Sequence, residues 1–358
     1  SPNDELFITD NQGDWVADCA LYHVREGNFY GHPASLPARP DFTKDKVLSM
    51  KAEGFEKIRT PPAVWLVREE IANSPGSPIW DTTNGKFGPF KGQMFIGDQR
   101  QSNYFRSGVE KINGEYQGWC IDFLRGLESG PVKMSFDTQG RLWSAQVGRG
   151  WFSKGGKRTA IQYVEWDNKT TPFAIHSASL TKTGFSVRFT EKIGKKMTPK
   201  VSSWGYHYYS TYGSPPVDQQ ELKVSNYHLS KDRKTVTFDV PLNEKKIYAI
   251  TFTEQKNTEA KLLDFDTIYY TLNQLRPVRE TKPGRNVGWS LAGSSWNRND
   301  KSRPVPPIVP PLAVEKCILP IPKSATVLNA SQWTNPNWVF DKKGVMPRGK
   351  GNNSTVKA

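Results

Sequence analysis

Cysteine is scarce in this chain of 358 residues, and the three that occur, Cys19, Cys120 and Cys317, lie far apart in the sequence. None of them forms a CxxC pair or has a pair of histidines nearby, which argues against a structural zinc site. Two alternatives remain for the thiols. Cys19 and Cys120 form a disulfide across neighbouring repeats in an oxidising compartment, or the cysteines are free thiols buried in the core.

The chain also lacks any run of 18 apolar residues and any signal-like apolar segment at its start, so we expect no membrane-spanning helix. Helical spacing of apolar residues is nearly absent. So are the GxGxxG, Walker, GxSxG and HExxH motifs. These absences exclude nucleotide-binding α/β enzymes and favour an all-β chain. Because the sequence begins at Ser1 within a strand-like segment, we expect the true N-terminus to lie elsewhere.

The composition suits several small β domains. Hydrophobic residues make up 36% and aromatic residues 12% of the chain, enough for buried cores, and 29 glycines with 26 prolines favour short strands joined by turns. The net charge of +14 attracts anionic partners, but the basic residues are dispersed and no nucleic-acid-binding motif accompanies them. We therefore expect no nucleic-acid partner.

A short segment recurs in the first half of the chain. Leu6–Asp10 (LFITD) is followed by similar segments at Phe95–Gln99 (FIGDQ) and Leu142–Gln146 (LWSAQ). The intervals fit a unit of about 40 to 50 residues, the size of a propeller blade. Hairpin turns are indicated at Asn113-Gly114 and at Thr138 to Gly140. The sequence predicts a partial β-propeller of about three blades over residues 1–168, with further blades N-terminal to it.

Residues 172–273 alternate apolar and polar side chains over about seven short strands, which predicts an immunoglobulin-like β-sandwich. Phe185, Val187 and Phe189, for example, share one face of a predicted strand. The aromatic segment from Trp204 to Tyr209 is compatible with two roles, strand core or sugar-stacking platform. The sandwich contains no candidate catalytic cluster.

The last part of the chain is predicted to be a linker followed by the start of another domain. Residues 274–317 include RPVPPIVPPLAV, a Pro-rich run that favours an extended, semi-rigid spacer. Residues 318–358 hold only two or three strand-like segments, too few for a stable sandwich. We expect them to open a truncated jelly-roll-like domain.

Two N-terminal segments, Gln12-Gly13 and Asn28 to Pro33 (NFYGHP), resemble motifs of the soluble sugar dehydrogenases that use pyrroloquinoline quinone, the glucose/sorbosone dehydrogenase-like propellers. Residues 73–81, 85–99 and 149–157 resemble the large secreted propeller proteins of planctomycete type. The resemblance covers residues 1–168 and implies a secreted or periplasmic oxidoreductase of carbohydrate metabolism that binds the quinone through calcium.

The resemblance also implies site residues. Gly13 and Asp14 correspond to positions whose backbone carbonyls ligate calcium, and the carboxylates of Asp10 and Asp14 lie nearby in sequence. Arg100 takes the position of a lysine that reaches a quinone carboxylate. The family's clamp of two arginines is replaced here by Glu128 to Pro131, and none of the five histidines matches its catalytic base.

The C-terminal segment from Ala325 onward is similar to the opening of the 3-keto-disaccharide hydrolase family, through Trp338, Gly344 to Met346 and Gly349 to Gly351. Two functional hypotheses follow. In the first, the chain is part of a secreted, multidomain carbohydrate-active protein with a quinone-dependent dehydrogenase-like propeller and a downstream domain that processes keto-glycosides. In the second, the propeller and sandwich form a non-catalytic scaffold that binds a glycan or a protein. Its candidate binding rim is Glu69, Glu70, Arg149 and Trp151.

Overall fold

The structure, a computed structural model, describes residues 1–148, 152–195 and 197–277, together with the backbone of three short strands between residues 326 and 347. It is mostly β, with 43% strand and 7% helix arranged in several antiparallel sheets. The all-β prediction is therefore confirmed. Within the described residues no sheet closes on itself and no propeller ring is formed.

The first part of the described chain extends to residue 165. Its strands are β1 (Leu6–Asp10), β2 (Ala20–Val24), β3 (Val64–Trp65), β4 (Ile79–Trp80), β5 (Met94–Asp98), β6 (Asn103–Ile112), β7 (Glu115–Arg125), β8 (Pro131–Phe136), β9 (Leu142–Val147) and β10 (Thr159–Glu165). Its helices are a 3-10 helix (Pro33–Ala38), α1 (Lys44–Ser49) and α2 (Ala52–Ile58).

The second part contains β11 (Ile175–Leu180), β12 (Gly184–Phe189), β13 (Lys200–Gly205), β14 (Val217–Leu222), β15 (Ser225–Leu229), β16 (Thr235–Asp239), β17 (Lys246–Thr251) and β18 (Thr267–Leu272). Further along the chain lie β19 (Thr326–Asn329), β20 (Trp338–Asp341) and β21 (Gly344–Pro347). The last two pair as an antiparallel hairpin. The rest of the predicted linker and jelly-roll start, from residue 278 onward, lies outside the described residues.

The strands of the first part fall into three groups, and within each group consecutive strands pair, so residues 6–165 form three antiparallel meanders. The first comprises β1 to β3, the second β4 to β7 and the third β8 to β10, with β19 parallel to β10 at its edge. The three copies of the repeated segment fall on β1, β5 and β9. Since β5 and β9 are each the second strand of a meander, the repeat marks an equivalent position in two of them.

Both hairpin turns indicated by the sequence are present. Asn113 and Gly114 have φ angles of 50° and 86°, and Ile112 pairs directly with Glu115 across the turn. Gly140, at φ 89°, lies between β8 and β9. Positive φ is costly for most residues, and this explains why asparagine and glycine occupy these turns.

The sequence did not predict the short helices between β2 and β3, which lie within residues 33–58. Thr43 caps α1, its Oγ1 accepting a hydrogen bond from the backbone of Lys46 at 3.2 Å. Val47 of α1 and Phe55 of α2 belong to a small separate core. Helices of six and seven residues are too short to show a hydrophobic period in the sequence.

The second part forms two sheets that share one core. Their strand orders are β11-β12-β16-β15 and β14-β13-β17-β18, the latter being half of a larger sheet. The predicted inward face of β12 is confirmed, because Phe185, Val187 and Phe189 are buried whereas Arg188 is exposed. The alternating pattern therefore places apolar side chains between the sheets.

Strand β7 joins the two parts of the molecule. It pairs with β18 through Tyr269–Cys120, Tyr270–Trp119 and Thr271–Gly118, which makes one eight-stranded sheet out of the second meander and half of the sandwich. Successive side chains of a strand point to opposite faces. Trp119 and Ile121 accordingly enter the sandwich core, while Cys120 lies in the core of the first part.

A carboxylate of β6 reinforces the same junction. Glu110 accepts hydrogen bonds from the backbone of Leu180 at 2.7 Å, from the Tyr270 hydroxyl at 2.6 Å and from the Arg276 guanidinium at 2.5 Å. Hydrogen bonds to a charged acceptor are stronger than neutral ones. The sheet thus continues across the predicted boundary between residues 168 and 172.

Candidate functional site

A cleft of about 800 Å³ opens between β7 and the segment 253–269 that leads into β18. One wall consists of Asp122 and Arg125 of β7 with Glu70 and Ile71 from the loop after β3. The opposite wall consists of residues 253–256, 262–267 and 269, and residues 195 and 197 also line the space. We call this space the β7 cleft. Its volume falls within the range of small-molecule sites, about 300 to 1,000 Å³.

The lining of the β7 cleft is acidic although the whole protein is basic. Three bases and five acids line it, a balance of 3 − 5 = −2, on a chain with a net charge of +14. The bases are Arg125, Lys195 and Lys256; the acids are Glu70, Asp122, Glu254, Asp264 and Asp266. Apolar and aromatic side chains, among them Leu262, Phe265 and Tyr269, complete the walls.

On the β7 wall the charges are paired. Asp122 accepts hydrogen bonds from Arg125 Nε at 2.5 Å and from Asn103 Nδ2 at 2.9 Å, and Arg125 Nη2 donates to the carbonyl of Glu70 at 2.7 Å. Burial alone would lower the pKa of Arg125, but the Asp122 carboxylate outweighs it and raises that pKa. We infer that this wall is a rigid brace, since its polar groups bond to one another.

On the opposite wall Asp264 is buried without a full set of partners. Its side chain is 7% exposed, and no described atom bonds to its Oδ1. The Asp264 backbone is fixed by an N–H that donates to the carbonyl of Phe173 at 3.0 Å. Burial raises the pKa of Asp264 well above its ordinary value, although Lys261 and Arg106 act in the opposite direction. A buried acceptor without a donor costs free energy, so this carboxyl favours a ligand or a water.

Arg106 of β6 is a buried cation whose charge acts to lower the pKa of Asp264. It is 1% exposed, its Nη1 donates to Gln93 Oε1 at 2.6 Å, and its Nη2 donates to the carbonyl of Ile175 at 2.7 Å. The guanidinium lies 4.0 Å from the ring centre of Phe90. Burial lowers the pKa of Arg106, and its Nε has no partner. A second cavity, of about 10 Å³, is lined by both Arg106 and Asp264 and shares Asp122 and Phe265 with the β7 cleft.

The residues implied as calcium ligands lie together at the end of β1 and in the loop after it, and some of their oxygens are already engaged. The Gly13 carbonyl accepts hydrogen bonds from Val16 N at 3.1 Å and Gly213 N at 3.0 Å, which uses both of its lone pairs. Asp10 Oδ1 accepts from Asn11 N at 2.9 Å, and Asp14 forms a β-bridge with Tyr212. Among the described residues no group of three acidic, histidine or cysteine side chains could hold a metal. These residues do not fit a calcium site as they stand.

Arg100, the implied quinone contact, lies in the turn between β5 and β6. Its guanidinium lies 4.6 Å from the ring centre of Phe152, and its Nη1 donates to the Phe152 carbonyl at 3.4 Å. At the position of the family's arginine clamp, the buried Glu128 forms an ion pair with Lys157 at 2.6 Å. Arg100 alone therefore offers one partly exposed cation and no clamp, so the described residues do not fit the quinone either.

The predicted binding rim is divided between two places. Glu69 accepts a hydrogen bond from Asn73 Nδ2 at 2.7 Å and, more weakly, from Gln101 Nε2 at 3.3 Å, which brings it to the turn that carries Arg100. These bonds, with the charges of Lys154 and Arg68, outweigh its desolvation and lower the pKa of Glu69. Glu70 instead lines the β7 cleft. Arg149 and Trp151 lie outside the described residues.

The polar residues of the repeated segment fix loops to one another. Asp98 is fully buried and accepts hydrogen bonds from the backbone of Asn73 at 2.7 Å, Ser74 at 2.6 Å and Gln101 at 2.7 Å. Gln146 Oε1 accepts from Ser129 N at 2.9 Å. In these two copies, the Asp and Gln of the repeat therefore stabilise the neighbouring loops.

The structure decides two questions that the sequence left open, the state of the cysteines and the role of the aromatic segment. Cys19 and Cys120 are free, buried thiols, so they form no disulfide, while Cys317 lies outside the described residues. In the aromatic segment after β13, Trp204 and Tyr208 are buried, which confirms the core role for these two. In the described part of the chain, no helix is both long and apolar enough to span a membrane.

Sequence reasoning missed Arg106 and Asp264. Each is a charged residue inside an apolar stretch, Arg106 in YFRSG and Asp264 in LLDF. Charged residues are rarely fully buried unless they are paired, so this placement was the available signal. Their proximity follows from the pairing of strands far apart in sequence, which the residues alone do not show.

Comparison with known proteins finds no matching family model, no matching curated protein and no matching solved structure.

Proposed function

We propose that the described residues form a non-catalytic module that recognises a carbohydrate in the β7 cleft. The observation that carries this proposal is the buried Asp264 carboxyl, whose Oδ1 has no partner at the wall of a cleft of about 800 Å³. A sugar hydroxyl can donate to such an oxygen, and pairing it removes the cost of leaving a buried acceptor unsatisfied.

The other walls of the β7 cleft suit the two faces of a sugar ring. Leu262 is 42% exposed, and Phe265 and Tyr269 are partly exposed beside it, so apolar surface is available for the C–H face. The carboxylates of Glu254 and Asp266 and the ammonium of Lys256 provide acceptors and donors for the hydroxyl edge. Ligand sites usually combine apolar walls with a few placed polar groups in this way.

The proposal includes an architecture of blade-like meanders attached to an immunoglobulin-like sandwich. The strand orders of the two sheets correspond to A-B-E-D and C′-C-F-G. The Tyr248 hydroxyl accepts from Asn243 N at 2.6 Å near the start of β17, as in the tyrosine corner of such sandwiches. Consecutive antiparallel strands in residues 6–165 support the relation to propeller blades.

A binding role is favoured over the dehydrogenase hypothesis because sugar oxidation needs both a base and an electron acceptor. The described residues fit neither the calcium nor the quinone, so no chemical step is assigned to them. The secreted or periplasmic location and the link to keto-glycoside processing remain part of the proposal through the sequence resemblance alone. With these two points, the proposal is that the glycan-binding module belongs to a carbohydrate-active protein.

A glycan array probed with the labelled full-length protein tests this function. We expect binding to a restricted set of saccharides, reduced about tenfold in Asp264→Ala, since removal of the acceptor of one hydrogen bond costs about 1.4 kcal/mol. Asp218→Ala is the matched control, because Asp218 is an exposed carboxylate paired with Lys246 away from the cleft. Absence of binding to every saccharide, or equal binding by both variants, would contradict the proposal.

A further inference from the structure

Two unsatisfied polar atoms of opposite character belong to side chains that line the same small cavity. Arg106 Nε–H is a donor without an acceptor, and Asp264 Oδ1 is an acceptor without a donor. Both side chains are more than nine-tenths buried, and both line the cavity of about 10 Å³. The guanidinium is close enough to lower the pKa of the carboxyl. The remaining walls of this cavity are mainly apolar, including Phe90, Ile121 and Phe123.

The Arg106 side chain is held in a fixed direction. Its Nη1 donates to Gln93 and its Nη2 to the carbonyl of Ile175, and its Cζ lies 4.0 Å from the ring centre of Phe90. Turning Nε elsewhere would break these bonds. The Asp264 backbone is likewise bonded to Phe173. The donor and the acceptor are therefore preorganised rather than collapsed onto each other.

The chemistry of the missing partner follows from this pair. A group that satisfies both atoms accepts a hydrogen bond from Nε–H and donates one to Oδ1 of the Asp264 carboxyl. A hydroxyl or a water does both. An ammonium group has no acceptor, and a carbonyl or fully ionised phosphate oxygen has no donor. The cavity volume is on the order of that needed for one water.

We propose that Arg106 and Asp264 form a subsite for one hydroxyl group, which holds a water in the free protein and a saccharide hydroxyl in the complex. The small cavity shares Asp122, Asp264 and Phe265 with the β7 cleft, so a sugar in the cleft lies next to it. This inference rests on the proposed function for the nature of the ligand. It goes further in assigning one hydroxyl of that ligand to a defined donor and acceptor.

Crystal structures of the full-length protein test the subsite, at a resolution that shows ordered water. They are determined for the free protein, for crystals soaked in glycerol as the smallest polyol probe, and for the complex with the strongest saccharide of the array. We expect one water bonded to Arg106 Nε and Asp264 Oδ1 in the free protein. We expect a ligand hydroxyl in its place in the other two structures.

The outcomes separate the two proposals. A free protein without that water, or with Arg106 bonded directly to Asp264, overturns the subsite whatever binds in the cleft. A saccharide in the cleft that leaves the water in place overturns the subsite but keeps the proposed function. If no saccharide binds, the proposed function fails, and the glycerol structure decides the subsite alone. A glycerol hydroxyl on both atoms supports it, whereas an undisplaced water overturns it.

Variants provide a second readout in solution. Asp264→Ala removes the acceptor and should weaken binding of the array saccharide about tenfold, whereas Asp218→Ala should leave it within a factor of two. Each variant is first compared with the wild type by thermal melting, so that a folding defect is recognised. If Asp264→Ala does not fold, the three wild-type crystal structures still decide the inference.

Discussion

Among single residues, Asp18 is expected to make the free energy of unfolding depend on pH. Its carboxylate accepts hydrogen bonds from Cys19 N at 2.7 Å, Arg68 N at 3.0 Å and the Tyr206 hydroxyl at 2.6 Å. Burial nevertheless outweighs these bonds and raises the pKa of Asp18 to about 6. Between the ordinary value of 3.8 and about 6, the folded state therefore keeps a proton that the unfolded chain has lost.

The unfolding free energy should consequently fall as pH rises through this window, because the folded state binds more protons there. We predict that Asp18→Asn flattens the slope by up to about 1.4 kcal/mol per pH unit. The measurement is urea unfolding of both proteins at several pH values between 4 and 7. An unchanged slope would contradict the prediction.

Asp167→Asn is the control for this pH series. Asp167 is partly exposed; its slight desolvation is outweighed by hydrogen bonds from Thr170 and Lys169, which lower its pKa. A lowered pKa contributes stability that is lost only as pH falls through the folded value. Its effect therefore lies below 3.8, outside the window of Asp18.

Tyr248 gives a second test on one residue. Its hydroxyl accepts from Asn243 N at 2.6 Å, a bond that ties the loop before β17 to the sandwich core. Tyr248→Phe should lower the unfolding free energy by about 1 to 3 kcal/mol, because Asn243 N loses its acceptor. Denaturant unfolding measures this, with Tyr212→Phe as the control at a side chain that is 66% exposed. Equal effects of the two changes would contradict the role assigned to Tyr248.

At the level of elements, the β6–β7 ladder depends on Gly108. A Cβ atom at this position would lie 2.5 Å from Cζ2 of Trp119, the side chain that β7 sends into the sandwich core. Gly108→Ala should therefore destabilise the protein by about 1 to 3 kcal/mol through overpacking. Gly13→Ala is the matched control, since no atom lies within 4 Å of its added methyl group. A loss of stability no greater than in the control would show that Trp119 moves freely.

The elements also show how far the sequence could be interpreted. Strands with alternating apolar residues, such as β12, and turns with a required positive φ, such as Asn113-Gly114, were predictable because their signals are local. The helices α1 and α2 were not, since six or seven residues carry too little periodicity. The Asp and Gln of the repeat were found as a pattern, but their bonds to neighbouring loops depend on contacts between elements.

On the scale of the whole molecule, the two parts share a sheet and a core across β7. We predict that a fragment of residues 172–277 is much less soluble than one of residues 1–277, because it exposes the β18 edge and uncovers the core that Trp119 and Ile121 fill. Size-exclusion chromatography of both fragments tests this. A monomeric, cooperatively folding short fragment would show that the sandwich is independent of β7.

The candidate site is formed by segments that are far apart in the sequence, which explains why the sequence did not reveal it. The implied residues Asp10, Gly13, Asp14 and Arg100 were selected by resemblance to local motifs. The β7 cleft instead arises where β7, the loop before residue 71 and the segment 253–269 meet. Of the two predicted rim residues that the structure describes, Glu69 and Glu70, only Glu70 lies there, because its loop adjoins Arg125.

The most direct test of the recognition module is hydrogen–deuterium exchange of the full-length protein with and without the strongest saccharide of the array. The account predicts protection in peptides that cover residues 120–125 and 253–269, with no change at residues 10–14 and 98–101. Protection confined to residues 10–14 and 98–101 would contradict the β7 cleft as the binding site and restore the site implied by the dehydrogenase resemblance.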